Sequence, residues 1–113
     1  MKDATKGDLT ASQDLSAGAL SYTTSIGRKF KLCEVIIHAS VAITETITIT
    51  RDSKNGANYD HVLSSRDLED EQDLVFRPQG FCGFNEGDEV RVQVTNANLT
   101  GSVFIVIKSQ EMN

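Results

Sequence analysis

Alternation between apolar and polar side chains dominates the chain from residue 30 onward. Residues 43–50 alternate isoleucine with threonine, and residues 89–95 alternate valine with polar or charged residues, which is the two-residue period of a strand with one buried face. Residues 30–41 and 102–108 are apolar on both alternating faces through their middle, as is typical of strands buried on both sides. The pattern therefore predicts strands, with a core that includes Ile36, Ile47, Val92 and Ile105.

Turn signals divide these segments into about seven or eight strands. Asn55-Gly56 predicts a hairpin in which residues 58–64 return beside the isoleucine and threonine strand. Pro78, the only proline, ends a short strand over residues 74–77. The sequence thus predicts an all-β fold, an antiparallel two-sheet β-sandwich of jelly-roll type. An immunoglobulin-like sandwich is the alternative, disfavoured because the chain has no Trp and no evident cysteine pair across the core.

The first 29 residues differ from the rest because they are polar and contain only scattered large apolar side chains. With 113 residues the chain has the length of one domain. We therefore expect residues 1–29 to form an extended N-terminal arm with short strands, and residues 30–113 to form the β-sandwich domain.

Charge and hydropathy exclude several classes of partner. The net charge is −5 and the isoelectric point is about 4.9, so the chain lacks the basic field that supplies most non-specific affinity for nucleic acid. No apolar run approaches the length of a membrane span, and none near the start has signal-peptide length. We therefore expect no nucleic-acid or membrane partner and synthesis in the cytoplasm.

Motifs that would indicate catalysis or a cofactor are absent from the sequence. There is no G-x-S-x-G, P-loop, H-E-x-x-H or glycine-rich dinucleotide motif, so we predict no enzyme activity and no cofactor. Cys33 and Cys82 lack C-x-x-C or zinc-site spacing, and we expect buried thiols rather than a disulfide. A cysteine nucleophile with His38 or His61 as its base stays open, because such partners meet only in the fold.

Two polar segments have simple structural interpretations. Residues 66–73 carry five acidic groups and one arginine, but they lack the spacing of an EF-hand loop. We expect a solvated loop or a single helical turn there, and no metal site. The threonines at alternate positions from 44 to 50 are expected to form the solvent or interface face of their strand.

The stretch from residue 80 to residue 96 contains Gly87-Asp88 directly before an alternating strand. It is similar to the loop and G-D-x-V-x-V ending of small virion jelly rolls. Together with the polar N-terminal arm, it makes the chain resemble the capsid decoration, or cement, proteins of tailed bacteriophages. The resemblance implies a structural protein without catalytic residues that attaches to the outside of the capsid as a dimer or trimer.

The resemblance also implies a partner and a location. We expect a capsid decoration protein that binds and stabilises the phage head lattice, with the major capsid protein as partner, the capsid surface of the virion as location, and self-association through a sheet face. The apolar residues of the arm are the predicted partner contacts: Leu9, Leu15, Leu20, Tyr22 and Ile26.

The alternative function is a carbohydrate- or receptor-binding accessory module of a phage tail or similar assembly. A Gly-Asp turn before an alternating strand also occurs in carbohydrate-binding modules. This alternative is disfavoured because the chain has no Trp, so only Tyr22 and Tyr59 are suited to stack on sugar rings.

Overall fold

Two antiparallel sheets packed face to face make up the fold. The computed structural model describes residues 6–15, 18–24, 29–80, 82–95 and 101–111. Its strands are, in chain order, β1 (Lys6–Asp14), β2 (Leu20–Thr24), β3 (Phe30–Ile43), β4 (Thr46–Asp52), β5 (His61–Asp67), β6 (Glu71–Phe76), β7 (Gly83–Phe84), β8 (Glu89–Val94) and β9 (Ser102–Glu111), and a 3-10 helix (Ala57–Tyr59) lies between β4 and β5.

The order of the strands confirms the predicted jelly roll. The first sheet has the order β1-β9-β3-β6, with the short β7 also paired to β3, and the second sheet has the order β2-β8-β4-β5. The chain crosses between the sheets at most connections, which is how a jelly roll winds two four-stranded sheets around one core. In an immunoglobulin-like sandwich the first two strands lie in one sheet, whereas here β1 and β2 lie in different sheets.

The inner faces of both sheets form one hydrophobic core. Ile47, Val92 and Ile105 are at most 1% exposed, which confirms three of the four predicted core positions. Phe30 and Phe84 stack within this core with ring centroids 4.6 Å apart. A continuous apolar interior of this kind supplies most of the free energy that favours folding.

Ile36 is the exception, because it is half-buried and faces outward while its neighbours Val35 and Ile37 are buried. The prediction that it lies in the core was wrong. Alternation cannot decide the inner face of a run that is apolar on both faces. A bulge between Leu32 and Glu34 also shifts the register of β3 against β9, and a one-residue shift exchanges the two faces of a strand.

The segment expected to be an N-terminal arm contributes one strand to each sheet. β1 pairs with β9 over its whole length, and β2 pairs with β8. Each is an edge strand of its sheet and, like the other strands of a sandwich, turns only one face toward the core, so it needs few apolar residues. Leu15 and Leu20 nonetheless lie in the core. The described part of residues 1–29 therefore belongs to the packed sandwich.

The connections at both ends of β5 are well defined. β4 and β5 form the predicted hairpin, with Gly56 at a positive φ of 110° in its loop. The return strand begins at His61 rather than at residue 58, because residues 57–59 form the 3-10 helix. The acidic run is neither a loop throughout nor a helical turn: its ends belong to β5 and β6, and only residues 68–70 cross between the sheets. Leu68 anchors this crossing because its side chain is buried and its N–H donates to the Glu45 carbonyl at 2.8 Å.

The Gly87-Asp88 turn has a structural role. Gly87 has a φ of 94°, a conformation that favours glycine. The Asp88 side chain is buried, and its carboxylate accepts the N–H groups of Asn85 and Lys54, each at 3.0 Å. This carboxylate therefore ties the loop before β8 to the loop after β4.

Candidate assembly surface

The outer face of the first sheet carries a row of apolar side chains that crosses three adjacent strands. Val106 on β9 is opposite Ile36 on β3, and Ile36 is opposite Val75 on β6. Phe104, two residues before Val106, lies on the same face. Val75 and Phe104 are each 46% exposed. We call these four residues the apolar row; contiguous exposed apolar surface of this kind usually marks a contact site.

The outer face of the second sheet is different, because its cross-strand neighbours are small and polar. Thr48 on β4 is opposite Gln93 on β8 and Ser65 on β5, and Gln93 is opposite Ser21 on β2. The alternate threonines of β4 thus lie on the outer side, as predicted, although Thr50 is buried. Apolar residues are concentrated on one outer face of the sandwich.

Two ion pairs flank the apolar row. The His38 ring stacks on Phe104 with centroids 6.4 Å apart, and its Nδ1 lies 2.6 Å from Asp73 Oδ1. On the other side, Arg77 Nε donates to Glu34 Oε2 at 2.5 Å. His38, Asp73 and Arg77 are exposed, whereas Glu34 is largely covered. Exposed pairs contribute little to stability, but the Arg77–Glu34 pair cancels local charge beside the row.

The predicted partner residues lie away from the apolar row. Leu15 and Leu20 are buried in the core, while Leu9 and Tyr22 are partly buried and pack against it. Ile26 lies outside the described residues. Buried side chains are not available to a partner while the sandwich is folded. A role of the partly exposed ones in partner binding stays a prediction.

The apolar row was not singled out from the sequence, although a signal for it was present. Both β3 and β9 are apolar at consecutive positions, which is more apolar surface than a strand with one core face requires. In a sandwich each strand has only one face toward the core. The second apolar face of these strands therefore had to lie outside.

The two cysteines are free and half-buried. The Cys33 thiol donates to the Lys31 carbonyl at 3.8 Å. Burial raises the pKa of the Cys82 thiol above its ordinary value, and the nearby Arg51 charge acts in the opposite direction. A raised pKa leaves little thiolate at neutral pH, and thiolate is the reactive form of cysteine.

Two other kinds of site are absent from the part of the chain that the structure describes. No group of three or more His, Cys, Asp or Glu side chains there is placed to hold a metal ion. In the same part of the chain, no helix is long and apolar enough to cross a membrane.

No protein-family model matches the sequence, and no curated protein matches it. Among solved structures, the chain is similar to the Drosophila NLP core, described in terms of pentamer formation and histone binding, with a TM-score of 0.48 and 13% identity over 91% of this chain and 97% of that one. It is also similar to the structure of infectious bursal disease virus Gx strain, with a TM-score of 0.29 and 11% identity over 100% of this chain and 36% of that one. Both likenesses are weak. They assign no function.

Proposed function

We propose that the protein is a non-enzymatic structural protein of a virion, a capsid decoration protein that binds and stabilises the phage head lattice. The observation that carries the proposal is the exposed apolar row on the outer face of a rigid jelly roll. A flat apolar sheet face is suited to assembly, whereas ligand and catalytic sites are usually concave. The similarity of residues 80–96 to virion jelly rolls supplies the class of assembly.

A second copy of the chain is the proposed occupant of the apolar row. Two copies each carry a net charge of −5, so they repel one another wherever acidic surface meets acidic surface. Beside the row, the Arg77–Glu34 pair cancels local charge. An isologous contact through this face would bury the same row on both subunits, in keeping with a dimer as the oligomer.

The edge strand β1 is the proposed contact with the major capsid protein. Among the described residues no strand pairs with its outer side, so backbone N–H and C=O groups remain available along residues 6–14 for strand addition. Leu9, whose side chain is half-buried on this strand, stays a candidate contact. Repetition of such contacts over a symmetric lattice converts modest affinity into stable attachment.

The self-association part of the proposal is tested by changing the apolar row. Phe104→Ser should shift the protein toward monomer in sedimentation equilibrium, because it removes an aromatic side chain that is half-exposed in the monomer. The matched control is Val62→Thr, since Val62 is 54% exposed on the outer face of the second sheet. Equal oligomer distributions for wild type and Phe104→Ser would refute the proposed contact.

The capsid part needs a separate readout, which is co-sedimentation of the protein with purified phage heads. Wild type should saturate the heads and raise the temperature at which they release DNA. A Thr10→Asp variant should bind less, because it places a charge at an exposed position of the strand proposed to meet the shell, and Thr23→Asp, at an exposed position of the edge strand β2 of the other sheet, is its control. Failure of wild type to bind any tailed-phage head would refute the decoration function even if the protein is oligomeric.

A carbohydrate-binding module is the second candidate function, favoured by one feature. Tyr59 is 64% exposed on the 3-10 helix in the loop between β4 and β5, where an aromatic ring is accessible for stacking on a sugar. Saturable binding on a glycan array that is lost in Tyr59→Ala would support this candidate. If neither wild type nor Tyr59→Ala binds glycans and wild type binds phage heads, the result would support the decoration function instead.

A further inference from the structure

A groove lined by basic side chains lies between the two sheets, and it shares Arg77 with the surface beside the apolar row. It has a volume of about 580 Å³ and opens where β5 of one sheet approaches the end of β6 of the other. Arg51, His61 and Arg77 line it together with apolar side chains, and no acidic residue does so among the described ones. The chain as a whole has a net charge of −5, so this composition is a local reversal of the overall charge.

Arg51 reaches the groove because of its place in β4. Ile47 and Ile49 point into the core, and Arg51 is the next residue of that face near the end of the strand. Its cross-strand neighbour on β5 is His61, so the Arg51 and His61 side chains share one face. The guanidinium extends toward the other sheet, where its Nη1 donates to the Gly83 carbonyl over a long 3.5 Å.

The guanidinium of Arg51 is under-satisfied in this position. Its Nε is buried and has no hydrogen-bond partner, although arginine has five N–H donors and a buried donor normally finds an acceptor. Arg91 is a useful comparison, because its Nε is also buried without a partner but its terminal nitrogens are paired with Asp52 and Asp60. Among the described residues, no carboxylate is paired with Arg51 in this way. An acceptor from outside the described residues would complete its hydrogen bonds.

The walls of the groove indicate what else such a ligand carries. Leu63, Phe76 and Pro78 contribute apolar surface beside the arginine. Burial also raises the pKa of Cys82 at the same groove, as expected of a wall with limited access to water. Volumes of 300 to 1,000 Å³ with apolar walls and few polar groups are typical of ligand sites.

We propose that this groove binds a carboxylate that is attached to an apolar group, with Arg51 as the anchoring cation and Leu63, Phe76 and Pro78 as the apolar wall. The planar guanidinium matches a carboxylate in two-point geometry. His61 and Arg77 add donors at the mouth, where Arg77 is shared with Glu34. The ligand is either a small carboxylic acid or the carboxylate of a peptide, since both present the same chemistry. This site does not depend on the proposed function in a virion.

The experiment is a titration of the ¹⁵N-labelled full chain followed by NMR at the Arg51 Nε–H and the Cys82 and Gly83 amides. The probes are 3-phenylpropionate, acetyl-Gly-Gly-Phe with a free carboxylate, and the primary amides of both. Either acid should give saturable shifts at these groups, with affinity at least tenfold above that of its amide. Tighter binding of the peptide would identify a peptide source, and tighter binding of 3-phenylpropionate a small acid.

Variants separate the groove from general attraction to positive charge. Arg51→Gln should weaken binding of the acids at least tenfold, and Arg77→Gln, at an exposed position, should weaken it less without altering the fold. Arg66→Gln is the control, because Arg66 is an exposed arginine of β5 that pairs with Glu71 outside the groove. Equal binding of acid and amide, or equal affinity in wild type and both groove variants, would overturn the proposal.

Discussion

Ile36 and Ile37 allow a direct test of which face of β3 belongs to the core. They are adjacent residues of one type on one central strand, with Ile37 2% exposed on the inner face and Ile36 half-buried on the outer face. Changing either residue to alanine lowers the strand propensity by the same amount. The difference between the two variants therefore reports burial and contact alone.

The expected loss for Ile37→Ala follows from its burial. The change removes three carbons at about 0.8 kcal/mol each, or about 2.4 kcal/mol of transfer free energy, and the cavity that remains brings the total to about 3 to 4 kcal/mol. An unfolding entropy of about 2.1 cal/mol/K per residue makes about 240 cal/mol/K for this chain, so the midpoint should fall by about 12 to 17 °C.

Ile36→Ala should have a different signature. In dilute protein its side chain already contacts water, so the free energy of unfolding should fall by about 1 kcal/mol and the midpoint by about 4 °C. If the apolar row pairs two copies, wild type should gain stability with concentration, because association stabilises the folded state by mass action. The stability of Ile36→Ala should not rise with protein concentration. The stability of Ile37→Ala should still rise with concentration, although it is lower than that of wild type in dilute protein.

The assay is thermal unfolding by circular dichroism across a hundredfold range of protein concentration. Similar midpoint losses for the two variants in dilute protein would show that the register of β3 differs by one residue from the structure, since a one-residue slip exchanges the faces. A wild-type midpoint independent of concentration would refute self-association but not the register.

Three further predictions concern loops and the groove. Gly87→Ala should destabilise the fold by about 1 to 3 kcal/mol in urea unfolding, because φ is 94° and the new Cβ would lie 3.0 Å from Lys54 Cδ; an unchanged midpoint would exclude this strain. Asp88→Ala should cost about 1 to 3 kcal/mol by leaving two partly buried N–H donors without their acceptor, and Asp88→Asn, which keeps one acceptor, should cost less in the same assay. Burial raises the folded-state pKa of Cys82, so the stabilising contribution of the thiol is complete below the unfolded pKa of about 8.5 and is lost as pH rises through the folded value. Wild type should therefore lose more stability than Cys82→Ala between pH 7 and pH 10. Parallel pH profiles of the two proteins would contradict that assignment.

Local pattern was sufficient to predict the hairpin, the jelly-roll class and the strands that alternate clearly or are apolar on both faces. A strand with one buried face must alternate, so β4 and β8 could be assigned to inner and outer residues from their own sequences. Ile47 and Val92 are buried accordingly. The Asn55-Gly56 turn is likewise local, since a positive φ at the glycine is a property of that residue.

Tertiary structure decided the places of the N-terminal strands and the outward direction of Ile36. Whether a polar segment is a separate arm or an edge strand depends on a vacant sheet edge supplied by distant residues, as β9 and β8 supply it here. The sequence of a strand that is apolar on both faces does not show which face points to the core. In β3 the bulge at Cys33 fixes the inner face, and this bulge is defined only by the pairing with β9.

The two candidate sites also arise from pairing between distant strands. The apolar row joins residues about 40 and 70 positions apart in sequence, because Ile36 pairs with both Val75 and Val106. The groove brings Arg51 of one sheet to Gly83 of the other. The sequence by itself determined that apolar residues exceed the needs of one core face in β3 and β9, and that an arginine follows the isoleucines of β4. Only the packing of the two sheets determined that the outer apolar residues of β3 and β9 lie together on one surface and that the arginine faces a cavity. Both features depend on the register between strands, which the order of residues within a single strand does not contain.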